Sequence, residues 1–360
     1  MTRVLELSAQ AAGGVRAHIR QVSQLLAKDG HQVLLAGPSN VISPADDAVG
    51  GACLRTYQIN IGARPSGADL KALRQLKQLA ATAQVIHAHG LRAGALAVLA
   101  VKRLPAAKRP RVVVTLHNLP VGSAPTRLVG QALHLVVVKG ADYVLTVSPD
   151  LLEKAKQLGL KAGEIAVVPA PARGCVDCVG TASSEASFGA APRVLTIARL
   201  APQKGLDLLL EAATLIKQRG IDFTWLVAGD GPLKAQLNQQ IATADLPVKL
   251  LGRREDIGAL LSQADVVVQT SYWEGQPLTL REAMQAGRAI VATDVGGSAY
   301  TLAGCGQLVE PQAGPLADAV VAVISDPKRR ETLEAASRAA VAKIPGETQL
   351  REQLDRVLKL

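Results

Sequence analysis

Strand-length runs rich in Val, Ile and Leu take turns with helix-length amphipathic stretches along almost the whole chain. Such an alternation builds parallel sheets covered by helices, because a strand returns to parallel pairing only through a long crossover. In the first half Val4–Leu7, Val33–Ala36, Val85–Ala88, Val112–Leu116, Tyr143–Val147 and Ile165–Val168 read as strands, with helices such as Gly14–Lys28 and Leu70–Ala83 between them. The pattern stops in PAPARGCVDCVGTASSEASFGAAP, Pro169 to Pro192, where Pro, Gly, Ser and Ala dominate. A second series follows at Val194–Ala198, Phe223–Ala228, Val248–Leu251, Val266–Thr270, Ile290–Ala292 and Gln307–Val309. The expected fold is therefore α/β, with doubly wound Rossmann-like domains at residues 1–170 and 193–345, a linker at 171–192 and a charged amphipathic helix at 346–360. Open sheets of this kind bind ligands at the carboxyl ends of their strands, so the two domains are expected to face a common cleft.

With 360 residues, 48% of them apolar, the chain has material for two cores. Met1 to Gln10 carry no signal-peptide pattern, and no charge-free apolar run approaches the ~18 residues of a membrane span, so a cytoplasmic, non-spanning protein is expected. Four cysteines, Cys53, Cys175, Cys178 and Cys305, are too few for a disulfide scaffold. Cys175 and Cys178 form a lone C-x-x-C between Gly174 and Gly180 with no further ligands nearby, which reads as loop rather than as a zinc or redox site.

The net charge of +10 is unevenly placed: residues 1–170 hold 20 Lys and Arg against 9 Asp and Glu, and the remainder 20 against 21. Aromatic residues are only 2% of the chain, which leaves few stacking platforms for nucleic acid, and no helix-turn-helix or finger motif is evident. A basic first half suits an anionic membrane surface or a phosphorylated acceptor better than DNA or RNA. Its charge gathers at Lys71, Arg74 and Lys77, spaced along one helix face, and at Lys102, Arg103, Lys108, Arg109 and Arg111.

The segment SYWEGQPLTLREAMQAG, Ser271 to Gly287, follows a buried strand. Pro277 in a first helical position would open a helix there, and the free N–H groups around Leu278, Thr279 and Leu280 would suit a diphosphate. Glu274 precedes that helix and Glu282 lies within it. A carboxylate accepts two vicinal hydroxyls at once, so Glu282 would suit a ribose and Glu274 a donor sugar or the positive charge that develops on it. The plainer account is a capped helix with solvated acids.

In TIARLAPQKGLDLLLEA, Thr196 to Ala212, Arg199 and Lys204 would neutralise a diphosphate leaving group without a metal. No Asp-x-Asp metal site is present, and Asp46 and Asp47 are adjacent in a loop. Gly229 and Gly231 form a turn before a helix begun by Pro232. Gly13 and Gly14 open a helix after the first strand, where bare backbone can approach a phosphate or sugar, but the G-x-G-x-x-G fingerprint of a dinucleotide cofactor is missing. All six histidines, His18, His31, His87, His89, His117 and His134, lie in the first half, and His117 ends the strand VVVTL at the expected ligand edge.

Together these segments resemble the retaining family-4 glycosyltransferases with the GT-B fold, whose E-x7-E motif is similar to Glu274–Glu282. The resemblance implies that Glu282 holds the nucleotide ribose, that Glu274 contacts the donor sugar, and that residues 1–170 receive the acceptor. Ala198 to Gly205 are similar to the family's G-R-L-x-x-x-K-G, with Ala198 in place of its first glycine. Leu251 to Gln269 are similar to the segment bordering the nucleobase, where Arg253 would stand, and His117 matches a histidine that touches the donor sugar near the reacting carbon. Two departures concern acceptor identity and hinge: Ala170-Pro171-Ala172-Arg173 replaces the usual Asn-Gly-x-Asp, and Tyr300 stands where a glutamate is common. The implied activity is metal-independent hexosyl or N-acetylhexosaminyl transfer from a nucleotide-diphosphate sugar, a substrate rather than a cofactor, to a hydroxyl acceptor that is lipid-linked or of the cell envelope. A sugar-nucleotide epimerase of similar plan and a non-catalytic nucleotide-binding module are the competing accounts.

Overall fold

A computed structural model describes residues 1–11, 13–42, 53–62, 64–117, 124–169 and 191–360. Asp46, Asp47, Ala170 to Arg173, Cys175, Cys178 and nearly all of the expected linker lie outside the described residues. The chain forms two compact units, Met1–Pro169 with Pro345–Leu360, and Ala170–Ile344.

The first unit is a seven-stranded parallel sheet in the order β3-β2-β1-β4-β5-β6-β7. Its strands are β1 Arg3–Ser8, β2 Gln32–Gly37, β3 Leu54–Gln58, β4 Val85–His89, β5 Arg111–Leu116, β6 Tyr143–Thr146 and β7 Gly163–Ile165. Between them run helices α1 Gly13–Lys28, α2 Ala68–Ala80, α3 Leu91–Val101, α4 Ala124–Gly140 and α5 Pro149–Gln157. The edge strand β3, LRTYQ, has no apolar run, which is why hydropathy does not announce it. The last strand is expected at Ile165–Val168 but forms at Gly163–Ile165. Beyond it the Val167 N–H donates not to a strand but to Gln353 Oε1, at 2.7 Å.

Gln353 belongs to the C-terminal helix Glu347–Leu358, which returns to this unit. Its apolar face buries Leu350, Leu354, Val357 and Leu358, and Arg111 Nε donates to the Val357 carbonyl at 2.9 Å. Burial of such side chains stabilises by about 1.5–3 kcal/mol each, which explains the docking of a helix whose outer face is charged.

The second unit is a six-stranded parallel sheet in the order β10-β9-β8-β11-β12-β13. It comprises β8 Arg193–Ile197, α6 Leu206–Gln218, β9 Thr224–Ala228, α7 Lys234–Thr243, β10 Val248–Gly252, α8 Ile257–Gln263, β11 Val266–Gln269 and α9 Leu278–Gln285. These are followed by β12 Ala289–Thr293, α10 Ser298–Leu302, β13 Gln307–Val309, α11 Ala313–Ile324 and α12 Pro327–Ala340. Trp225 is wholly buried in its core, with its indole N–H satisfied by Thr196 Oγ1 at 3.0 Å.

In both sheets the chain leaves a central strand first to one side and then to the other. The resulting switch points lie between β1 and β4 in the first unit and between β8 and β11 in the second. No helix among the described residues is long and apolar enough to cross a membrane.

Candidate active site

At the second switch point a loop leads from β11 through Glu274 to α9. It is tied down on both flanks. Thr270 Oγ1 donates to the Lys204 carbonyl at 2.8 Å and Gln203 Nε2 to the Trp273 carbonyl at 2.8 Å, which fastens the loop to the one-turn 3-10 helix Pro202–Lys204. On the other flank Thr293 Oγ1 donates to the Ser271 carbonyl at 2.6 Å, and the Gly297 N–H to the Glu274 carbonyl at 2.9 Å. Gly296 makes that approach feasible, since its φ is +52° and a Cβ there would run into the Glu274 carbonyl oxygen.

The loop delivers the Glu274 carboxylate, 5% exposed, to Lys204. Lys204 Nζ and Ser271 Oγ both donate to Glu274 Oε1 at 2.5 Å. With both donors on one oxygen, Oε2 is the acceptor left for a ligand hydroxyl. Glu274 and Lys204 share a small recess of about 10 Å³ with Thr196, Gln269, Ser271 and Thr279, a volume suited to a single small polar group. A roomier cavity, about 390 Å³, lies elsewhere, between Asp207–Thr214 of α6 and Gln239–Thr243 of α7.

The structure thus joins Glu274, Lys204 and Thr279, and not the other expected residues. Arg199 is exposed on the loop after β8, so Lys204 alone of the two cations meets the carboxylate, and it does so as an ion pair rather than as a free charge. Helix α9 begins at Leu278, one residue later than expected: Pro277 is its cap, with an extended ψ of 109°. Pro277 offers no side-chain cap bond, so the first N–H groups of α9, at Leu278 and Thr279, remain for an outside partner. Glu282 is half-buried in the second turn of that helix.

Gly229 lies just after β9, where a Cβ would run into the Ala198 carbonyl oxygen, so the turn presses against the loop carrying Arg199. Pro232 does not begin the next helix, because the Leu233 N–H is spent on the Leu200 carbonyl at 3.1 Å and α7 starts at Lys234. Arg253 is exposed, while its neighbour Arg254 is clamped to Asp256 at 2.5 Å. Arg281 was missed by sequence reasoning: it is buried on α9, burial pushes it down to about 10, and its Nη2 donates to Gln276 Oε1 at 2.5 Å, bracing the loop before the helix.

At the first switch point Gly13, with φ +56°, and Gly14 open α1, both exposed. His117 directly follows β5, at the strand's carboxyl end as expected, and is only 7% exposed, because it belongs to a buried polar cluster. Glu6 in the middle of β1 faces His87 and His89 of β4: His87 Nδ1 donates to Glu6 Oε1 at 3.0 Å and His89 Nε2 to Oε2 at 2.7 Å. His87 Nε2 meets Thr115 Oγ1 at 2.8 Å, and His89 Nδ1 meets His117 Nε2 at 3.3 Å. Burial pushes the Glu6 carboxyl up, but the attraction of His87 and the N–H bonds from both histidines outweigh it and hold the carboxyl at about 2. His117 lies well below the ordinary histidine value, first through burial and then through His89, His18 and His87.

The signal for this cluster is in the sequence. Glu6 interrupts an apolar strand, and H-x-H at His87 and His89 puts two rings on one strand face. No metal was expected, yet among the described residues Glu6, His87 and His89 present ligand atoms within 4.8 Å of one another and are the trio chemically suited to a divalent ion. The same atoms are already matched as donors and carboxylate acceptors, which accounts for their burial without an ion.

Two doubly wound parallel sheets in one chain are the architecture of the GT-B fold. Residues 13–171 match the family described as glycosyl transferase 4-like domain, and residues 191–326 the family described as glycosyl transferases group 1. The chain belongs to the family-4 glycosyltransferases with the GT-B fold.

It is 28% identical over 349 residues to the phosphatidyl-myo-inositol mannosyltransferase of Mycobacterium tuberculosis, covering 91% of this chain and 88% of that one. It is 38% identical over 115 residues to the amylovoran biosynthesis glycosyltransferase AmsK of Erwinia amylovora, over 29% of this chain and only 28% of that protein. Anabaena HepE, solved in complex with UDP-glucose, superposes with a TM-score of 0.78 at 21% identity over 100% of both chains.

Proposed function

We propose that the protein transfers a hexosyl or N-acetylhexosaminyl group from a nucleotide-diphosphate sugar to a hydroxyl acceptor, with retention of configuration and without a metal. The observation that carries this reading is the Lys204–Glu274–Ser271 cluster, in one recess with Thr279 of the uncapped α9. Glu274, fixed by two donors on one oxygen, would meet the sugar with the other. The first N–H groups of α9 at Leu278 and Thr279, with Lys204 and Arg199, would carry the diphosphate charge as the glycosidic bond breaks. Glu282 would hold the ribose, Arg253 and Gly229 would border the nucleoside, Gly13 and Gly14 would give close backbone approach, and His117 would contact the donor sugar.

The acceptor is proposed to be lipid-linked or of the cell envelope, received by the first unit of a cytoplasmic protein that rests on the inner membrane face. Two observations support that part: the exposed stripe of Lys71, Arg74 and Lys77 on α2, and the likeness over 91% of the chain to a protein named a phosphatidyl-myo-inositol mannosyltransferase. A panel of nucleotide-sugars tests the reading. One donor should release its nucleoside diphosphate slowly alone and faster with lipid-linked acceptors, in the presence of a chelator. Epimerised nucleotide-sugar as the product, or binding of every donor with release from none, would replace it.

A further inference from the structure

Glu6 and His89 stand behind His117 in one hydrogen-bonded line. Glu6 is wholly buried and ionised, and an ionised carboxylate only accepts hydrogen bonds. The nitrogen that faces it at 2.7 Å, Nε2 of His89, must therefore carry a proton. Burial and the neighbouring His87 favour the neutral form of His89, so its other nitrogen, Nδ1, is bare. That lone pair lies 3.3 Å from Nε2 of His117. Two bare nitrogens facing each other there would forfeit a buried hydrogen bond, so Nε2 of His117 carries the N–H. His117 is itself held neutral, by burial first, and its Nδ1 is consequently the bare nitrogen. The other arm, His87 Nε2 to Thr115 Oγ1 at 2.8 Å, imposes no such choice, because a hydroxyl both donates and accepts.

We propose that Glu6 and His89 are positioning residues that lock His117 in the neutral Nε2–H tautomer, leaving Nδ1 able only to accept a hydrogen bond from a sugar hydroxyl. The proposal builds on the reading of His117 as a donor-sugar contact. A neutral imidazole without this constraint exchanges between two tautomers, one of which presents an N–H and would leave that hydroxyl without an acceptor. The locked form turns His117 into a one-way acceptor before any ligand arrives, the kind of preorganisation a reacting sugar requires.

The ring nitrogens report this directly, without substrate, in two-bond proton–nitrogen spectra of the nitrogen-15-labelled full chain. The His117 signal is identified by its loss in His117→Gln. At neutral pH the wild-type spectrum should show His117 with a protonated Nε2 and a bare Nδ1. His89→Gln should keep that form, since its amide can donate to Glu6 while its carbonyl accepts from His117. His89→Leu should give a mixture of both His117 tautomers.

A wild-type His117 with the proton on Nδ1, a cationic His117, or a single Nε2–H form that survives in His89→Leu would overturn the proposal. So would a bare, ion-bound Nε2 on His89, the signature of a divalent ion held by Glu6, His87 and His89. The wild-type and His89→Gln spectra keep the test decisive if the leucine variant does not fold. A chain that shows the locked tautomer but transfers no sugar would refute the functional reading and leave the lock standing.

Discussion

Replacing Lys204 by alanine removes the cation 2.5 Å from Glu274 Oε1 and strands a carboxylate that is 5% exposed. Stranding one member of a buried pair costs about 3–5 kcal/mol, and of a surface pair about 0–1 kcal/mol. The Lys204 side chain is 25% exposed, which lets water reach the pair, and Ser271 Oγ still donates to the same oxygen. About 2–3 kcal/mol is therefore expected, a roughly 30- to 150-fold shift in the unfolding equilibrium of the second unit.

Glu274→Gln in the same chain removes the stranded charge. The double variant should be more stable than the sum of the two single losses by about 1–2 kcal/mol. Both tryptophans, Trp225 in the core and Trp273 beside Glu274, belong to the second unit, so their fluorescence in a urea titration follows that unit alone. Losses that add to within about 0.5 kcal/mol would show that the ion pair does not organise the site.

Acid should weaken the first unit in two stages. His89 and His117 titrate near 6.5 and Glu6 near 4.5 when unfolded, and all three titrate lower in the fold. The unfolded chain then takes up protons first, so stability is full above about pH 6.5, falls below it, and falls again from 4.5 toward the folded Glu6 value of about 2. Glu6 alone accounts for about 3 kcal/mol of that second loss. Because every histidine lies in this unit, urea midpoints read from histidine ring proton signals check it, and a midpoint unchanged between pH 7 and pH 5 would contradict the buried network. Glu282→Ala should weaken nucleoside diphosphate binding, measured by calorimetry, roughly tenfold or more, whereas Glu274→Ala should mainly lower turnover; equal small effects would sink the assignment. Sedimentation with anionic vesicles should fade with salt and drop when Lys71, Arg74 and Lys77 become Ser, since each surface cation is worth about 1 kcal/mol. Binding indifferent to lipid charge would favour a soluble acceptor.

Periodicity revealed most of the fold, because parallel strands covered on both faces are written as apolar runs: Val266–Gln269 and Gln307–Val309 lie where the runs do. It failed where packing is not apolar. The strand Leu54–Gln58 sits at an edge, and the end of β7 is set by Gln353, which is 186 residues away from Val167 in the chain. At the site, the E-x7-E spacing and the Pro before α9 were legible because they are local. The pairing of Lys204 with Glu274 was not, since it depends on β8 and β11 lying side by side. The Glu6–His89–His117 line shows in the sequence only through its parts, an acid inside an apolar strand and an H-x-H, and their meeting depends on neighbouring strands in register.

Proton NMR of the anomeric signals during the first minutes of transfer, with chelator present, tests the central claim most directly. The account predicts nucleoside diphosphate release together with a product that has the donor's own anomeric configuration, at a rate the chelator does not change. A product that first appears with the opposite configuration, or turnover that returns only when a divalent ion is added back, would contradict it.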